Sequence, residues 1–340
     1  MLKKSEIFLY PKPWPQECEK YFSPVGLAVV DYGRSQQLLS DTDAGYYGVQ
    51  IMSEQRKAYF YAAAAVLLWS TVASAFKVSL RYSDVLCLLF WASLVSTFVL
   101  FCIVLLSGKL PLLKVCSGAG LVRSALLGFL NPFCYYVVLL KAYSLLPAQQ
   151  ALTLNFLWPI MLVLLSMPLL GQKISLRAIA AILISFAGVV VIATQGDVRA
   201  LKFTSAAGVS LALASSVIWA LFWLYNLTDK RDEVVKLFLN FAFGCCFIFA
   251  AVVLLRVNVF AQPKALFGAL YIGLFEMGIT FLLWIRALKL SKTTAGVANL
   301  VYLVPFLSIV CIHFVVAEPI LASTLIGLAL IITGIILQKL

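Results

Sequence analysis

From residue 58 onward, long apolar stretches alternate with short polar breaks. The stretches lie near 58–78, 84–106, 120–142, 148–169, 175–194, 206–227, 234–255, 265–287, 293–316 and 319–338. About 20 helical residues, at 1.5 Å each, cross the roughly 30 Å hydrocarbon layer of a bilayer. Lipid offers no partner to a bare peptide group, so a crossing segment must close its hydrogen bonds internally as a helix. The pattern therefore predicts an all-α integral membrane protein with ten transmembrane helices. No polar segment between them is long enough for another domain.

Residues 1–57 break the pattern. Residues 1–51 are rich in Pro, Tyr, Gln, Ser and Asp and hold no apolar run long enough for a signal-peptide core. They are expected to be a disordered extension. Met52 is followed at once by a short charged stretch and the first span, so a chain begun at Met52 would hold all ten spans. The expectation is that residues 1–51 are an upstream mistranslation or a dispensable tail.

Composition agrees with the pattern. Of the 340 residues, 63% are hydrophobic and 12% charged. A soluble domain runs near 45–50% apolar and about 25% charged, so this chain lacks the polar surface to cover a water-facing fold. The formal net charge of +12 lies wholly in residues 58–340, because residues 1–57 hold seven basic and seven acidic side chains. Basic loops beside apolar spans are orientation signals rather than a nucleic-acid surface. With the N-terminus inside, the cytoplasmic side carries fourteen Lys and Arg, among them Lys109, Arg123, Lys230, Arg231 and Lys289, against seven on the other side. Both termini are thus expected in the cytoplasm. The eight cysteines form no C-x-x-C pair and His313 is the one histidine, so neither a zinc site nor a disulfide framework is expected.

The two halves echo each other. Trp69 matches Trp219, 150 residues on. At an offset of 145, Gly128 matches Gly273, Asn131 matches Glu276, and Lys141 with Ala142 matches Arg286 with Ala287. At 146, Pro159 matches Pro305 and Gly188 matches Gly334. Five helices per copy is an odd number, so the second copy must enter the membrane from the opposite face, as in secondary transporters. The expected units are a first repeat over 58–194 and a second over 206–338.

The runs LLWSTVASAFK (67–77), LNFLWPIMLVLLS (154–166), GLFEMGITFLLWIRALKLS (273–291) and NLVYLVPFLSIV (299–310), followed by AEP (317–319) and GLALIITGIILQ (327–338), resemble the drug/metabolite transporter superfamily in its ten-helix form with two EamA-like domains. The likeness spans about 58–338. The N-x-L-W-P run is similar to that of bacterial amino-acid and aromatic-metabolite exporters. The resemblance implies a bacterial inner-membrane exporter of small organic molecules that acts by alternating access without a cofactor. One position departs from the pattern: Gln172 stands where the family often has Glu, whereas the second-half counterpart, Glu318, is present.

Glu276 is the sharpest candidate. It lies about ten residues from either end of its expected span, roughly 15 Å deep. A lipid-facing carboxylate there costs several kcal/mol, so it is expected to face the bundle interior. There it either binds a substrate ammonium or a coupling proton, or fixes packing through a hydrogen bond. Its repeat partner Asn131 offers two donors and an acceptor to a ligand or to a neighbouring helix. Asn155 and Asn299 are weaker candidates of the same kind. Trp69, Trp158 and Trp219, with Tyr135, Tyr136 and Tyr302, either wall a cavity that holds an ammonium over a ring face or simply pack. Pro159 and Pro305 remove a backbone donor within their spans and are candidate hinges.

The sequence has no G-x-x-x-x-G-K-[ST] loop for nucleotide use and no H-E-x-x-H metalloprotease motif, and it lacks the histidine pairings of intramembrane hydrolases. A secondary transporter of amino acids or other small metabolites, compatible with a monomer, is the leading expectation. A carrier of phosphorylated or nucleotide-linked sugars would need midplane Lys or Arg, and the basic residues sit at span ends. A non-transporting scaffold would need no midplane acid.

Overall fold

The computed structural model describes residues 41–170, 176–197, 205–260, 262–291 and 299–339. Among these residues the secondary structure is helical. In chain order the α-helices are α1 (Asp41–Ser79), α2 (Val85–Leu106), α3 (Leu110–Lys114), α4 (Gly118–Gly128), α5 (Tyr135–Leu145), α6 (Ala148–Asn155), α7 (Trp158–Leu170), α8 (Leu176–Ala193), α9 (Ala206–Leu227), α10 (Glu233–Leu254), α11 (Pro263–Tyr271), α12 (Thr280–Leu290), α13 (Val304–Val316) and α14 (Ala322–Lys339). A π-helical stretch, Phe129–Cys134, joins α4 to α5, and another, Ile272–Ile279, joins α11 to α12. A 3-10 turn, Asn299–Leu303, precedes α13. Helix α1 reaches back to Asp41, into the segment expected to lack order.

Among the described residues, six helical segments are long and apolar enough to cross a bilayer: Glu54–Ser79, Val85–Leu106, Gly118–Leu145, Ala206–Asn226, Glu233–Leu254 and Pro263–Leu290. Within the described residues the other four expected spans form shorter helices, and proline marks the start of two of them. A proline has no N–H, and its ring crowds the carbonyl four residues back. Pro159 is the second residue of α7, and α6 ends four residues before it, at Asn155. Pro305 is the second residue of α13, and the chain before it is the 3-10 turn. The third span is interrupted in the same way: α4 ends at Gly128, four residues before Pro132, and Asn131 has the extended backbone of φ −147° and ψ 119°.

The packing repeats when the halves are exchanged. Helix α1 packs on α12 and α13, while α9 packs on α5, α6 and α7; α2 packs on α10, and α8 on α14. The close approaches repeat too. A Cβ on Gly128 would lie 2.3 Å from the Asn240 carbonyl oxygen and 3.2 Å from the Phe243 Cβ; one on Gly273 would lie 2.5 Å from the Ala92 carbonyl oxygen and 2.7 Å from the Val95 Cβ. A Cβ on Gly188 would lie 2.6 Å from the Gly327 carbonyl oxygen, and one on Gly334 would lie 2.6 Å from the Ala181 carbonyl oxygen. Such contacts between small residues let helices associate where lipid supplies no hydrophobic drive. Helices α2 and α10 run antiparallel: Ser93 reaches Cys245, Thr97 reaches the Phe241 carbonyl, and the Phe101 and Phe238 rings meet further along.

Side chains tie the two halves together at both ends of the bundle. At one end the buried Asp229 accepts hydrogen bonds from Arg231 at 2.6–3.1 Å and pairs with Arg123 at 3.7 Å. Arg231 also donates to Ser124, and Lys109 pairs with Asp232 at 2.7 Å. At the other end Glu318 accepts from the N–H groups of Ala148 and Gln149, capping α6 from the opposite half. Gln149 in turn donates to the Pro319 carbonyl at 2.7 Å, and Arg81 donates to the Val316 carbonyl at 3.0 Å.

The charged end makes a prediction. Burial works to raise the Asp229 carboxyl, but the hydrogen bonds from Arg231 outweigh it and hold the group below its ordinary value. A depressed carboxyl stabilises the fold at neutral pH, and that contribution is lost as pH falls through the depressed value. Asp229→Asn is expected to cost on the order of 2 kcal/mol, since it removes charge-assisted bonds but leaves partly exposed arginines. Thermal unfolding in detergent from pH 7 to pH 3 checks this, because the variant should lose part of the acid-induced drop.

Candidate functional site

Glu276 sits in the π-helical stretch that interrupts the Pro263–Leu290 span, and Asn131 in the one that interrupts the Gly118–Leu145 span. Each is the fourteenth residue of a 28-residue span, so both lie midway through. A π turn inserts an extra residue into the α ladder and re-aims side chains, and such turns gather at functional sites. Glu276 is 7% exposed and faces other helices rather than the outer surface. Its Oε1 accepts a hydrogen bond from the Tyr136 hydroxyl at 3.0 Å, and its Oε2 is buried without a partner.

An aromatic and polar network surrounds this pair. The Tyr135 hydroxyl donates to Asn155 Oδ1 at 3.3 Å, Asn155 Nδ2 donates to Ser215 Oγ at 2.8 Å, and Ser215 donates to the Ala212 carbonyl. That chain links α5, α6 and α9. The Tyr135 ring lies 4.5 Å from that of Trp219 and 4.8 Å from that of Tyr136. Trp219 meets Phe281 at 5.8 Å, and Phe281 meets Trp69 at 6.2 Å. Glu276, Tyr135, Asn155, Trp69 and Trp219 are therefore joined through short contacts, with Tyr136 and Phe281 as links.

The other candidates fall around this centre. Asn131 is fully buried one turn before Tyr135, and neither amide atom has a partner. Tyr302, in the turn before α13, meets Phe156 at 6.3 Å, where α6 gives way to α7. Trp158 opens α7 and packs half-buried against the core. Pro159 and Pro305 each stand in the first turn of a helix, where a missing N–H costs little. Only the backbone of Asn299 is described, and Gln172 lies outside the described residues.

Three residues escaped the sequence reading. Asn240 of α10 is fully buried with both amide atoms unpartnered, and Ser96 of α2 is fully buried with a free hydroxyl. Pro132 sets the break beside Asn131. A lone Asn within the apolar run of α10, and a proline within a span, were visible signals for two of them.

The description of the EamA-like transporter family matches residues 56–194 and again 206–338. The uncharacterized transporter YvbV of Bacillus subtilis (strain 168) is 29% identical over 212 residues, which cover 61% of this chain and 68% of that protein. The uncharacterized transporter YyaM of the same organism is 25% identical over 201 residues, 56% of this chain and 63% of its own length. An uncharacterized transporter of Archaeoglobus fulgidus is 27% identical over 165 residues, 47% of this chain and 57% of its own. A solved structure, described only as the crystal structure of a protein, superposes with a TM-score of 0.57 at 23% identity, covering 82% of this chain and 95% of that one. At that identity the likeness concerns the fold alone.

Proposed function

The chain belongs to the EamA-like transporter family and is a membrane transporter, and from that premise we propose that it exports amino acids or other small organic metabolites by alternating access. The observation that carries the proposal is the Tyr136–Glu276 pair: a buried carboxyl from one half, bonded to a hydroxyl from the other, with one oxygen left over. An ionisable group at mid-membrane is costly to keep, and it gains a purpose as the contact for an ammonium or a proton. The aromatic rings of Trp219, Phe281, Trp69 and Tyr135 beside it suit an amphipathic or aromatic solute.

The ten spans are two five-helix halves inserted in opposite directions in a bacterial inner membrane, with both termini in the cytoplasm. The antiparallel crossing of α2 and α10, which are equivalent elements of the two halves, supports the inversion. The halves rock about the interrupted spans at Pro159 and Pro305, releasing the ties at one end while those at the other hold. Lys and Arg at span ends match the inward orientation, and they speak against a carrier of phosphorylated sugars, which needs midplane cations.

Uptake and efflux in proteoliposomes, against a panel of amino acids and small metabolites with and without a pH gradient, tests the reading. Movement of at least one amine-bearing compound, accelerated by an opposing gradient of that compound, is the expected result. No movement of any compound class would overturn it.

A further inference from the structure

Asn131 and Asn240 stand on facing helices, and each carries a buried amide with no partner. Helix α10 lies so close to the third span that a Cβ on Gly128 would strike the Asn240 carbonyl oxygen at 2.3 Å, and one on Gly244 would strike the Pro132 ring at 2.3 Å. Residues 240–244 of α10 therefore lie against residues 128–132, and each stretch contributes one asparagine. Both side chains are 0% exposed, and all four of their polar atoms lack a partner. Buried amides normally bond to a neighbouring side chain or to the backbone. Tyr136, which donates to Glu276, follows Asn131 by five residues.

Resting on the reading of this centre as a substrate site, we infer that Asn131 and Asn240 bind the substrate's second polar group, and that this group is neutral and both donates and accepts hydrogen bonds, as a hydroxyl or a primary carboxamide does. Each amide has donors and an acceptor unmet. A carboxylate only accepts, so it leaves both Oδ1 atoms unpaired. It also needs a cation, and among the described residues the charge placed at the centre is the acid Glu276. Lys236, a turn earlier on α10, is engaged elsewhere, with its ammonium on the carbonyls of Asn226 at 3.2 Å and Asp229 at 3.0 Å. A hydroxyl or carboxamide satisfies donors and acceptors together, at no cost in buried charge. The site then distinguishes amino alcohols and amino amides from amino acids.

Four probes that share an indole and an ammonium test this: tryptamine, tryptophan, tryptophanol and tryptophanamide. Binding to the full chain in nanodiscs is measured by calorimetry. Tryptophanol and tryptophanamide are expected to bind about tenfold tighter than tryptophan and tryptamine. Asn240→Leu should abolish that advantage, so that tryptophanol and tryptophanamide bind no tighter than tryptamine. Should Asn240→Leu fail to fold, Asn240→Asp keeps the volume and should weaken tryptophan further, by adding a second negative charge. The proposal is overturned if tryptophan binds tightest, or if the order of the four survives in the variants, which would mean that the amides hold water only. In both cases loss of tryptamine binding in Glu276→Gln would leave the substrate site standing. Failure of all four probes to bind overturns that reading as well.

Discussion

Glu276→Gln is expected to reduce transport roughly a hundredfold while the protein still folds and inserts. Glutamine keeps the length of the side chain and an oxygen to accept from Tyr136, so the contact at 3.0 Å survives. What is lost is the negative charge and the ability to take up a proton. A hydrogen bond to a charged group contributes about 1.5–3 kcal/mol, which is between tenfold and somewhat more than a hundredfold in affinity. The measurement is flux in proteoliposomes across pH, with monodispersity and thermal midpoint as the folding check. A variant that moves substrate at the wild-type rate with an unchanged pH profile would mean that Glu276 serves packing alone. Tyr136→Phe is a milder companion, because it leaves the carboxyl in place without its one donor.

Gly128→Ala and Gly273→Ala are expected to lose folded protein, each by about 3 kcal/mol, through one shared cause. The added methyl would lie 2.3 Å from the Asn240 carbonyl oxygen in the first case and 2.5 Å from the Ala92 carbonyl oxygen in the second. Both obstacles are backbone atoms inside helices, so no side-chain rotation relieves the clash, and α10 or α2 must move away as a whole. Overpacking commonly costs 1–3 kcal/mol even where side chains can adjust. Gly118→Ala is the control, since a Cβ there meets nothing within 4 Å. Yield after detergent extraction and the thermal midpoint of the three variants decide the matter. A Gly128→Ala protein as stable as the Gly118 control would show that α10 does not pack as closely as described.

These residues also show how much was legible beforehand. The pairing of Gly128 with Gly273 and of Gly188 with Gly334 is visible in the sequence as nearly equal offsets of 145 and 146. The structure adds that each member of a pair meets an equivalent carbonyl on an equivalent helix. The depth of Glu276 follows from counting residues, but its bond to Tyr136, 140 positions away, does not. Pro159 and Pro305 were visible as interruptions; that they begin new helices, and that Pro132 ends α4, depends on how neighbouring helices accept the break. Arg123 and Arg231 read as orientation signals, and the fold also closes them on Asp229.

The sequence by itself determined that this chain lives in a bilayer as apolar helices, that its halves are related, and that one acid is carried to mid-depth. All three follow from local physics: a run of apolar residues in lipid must satisfy its own peptide groups, and a helix rises by a constant step. Only the tertiary structure decided which polar side chains meet and which stay unpartnered at the centre. A hydrogen bond depends on the placement of two atoms to within a few tenths of an ångström. For Glu276 and Tyr136, or Asn131 and Asn240, that placement is set by how separate helices cross, which no single span encodes.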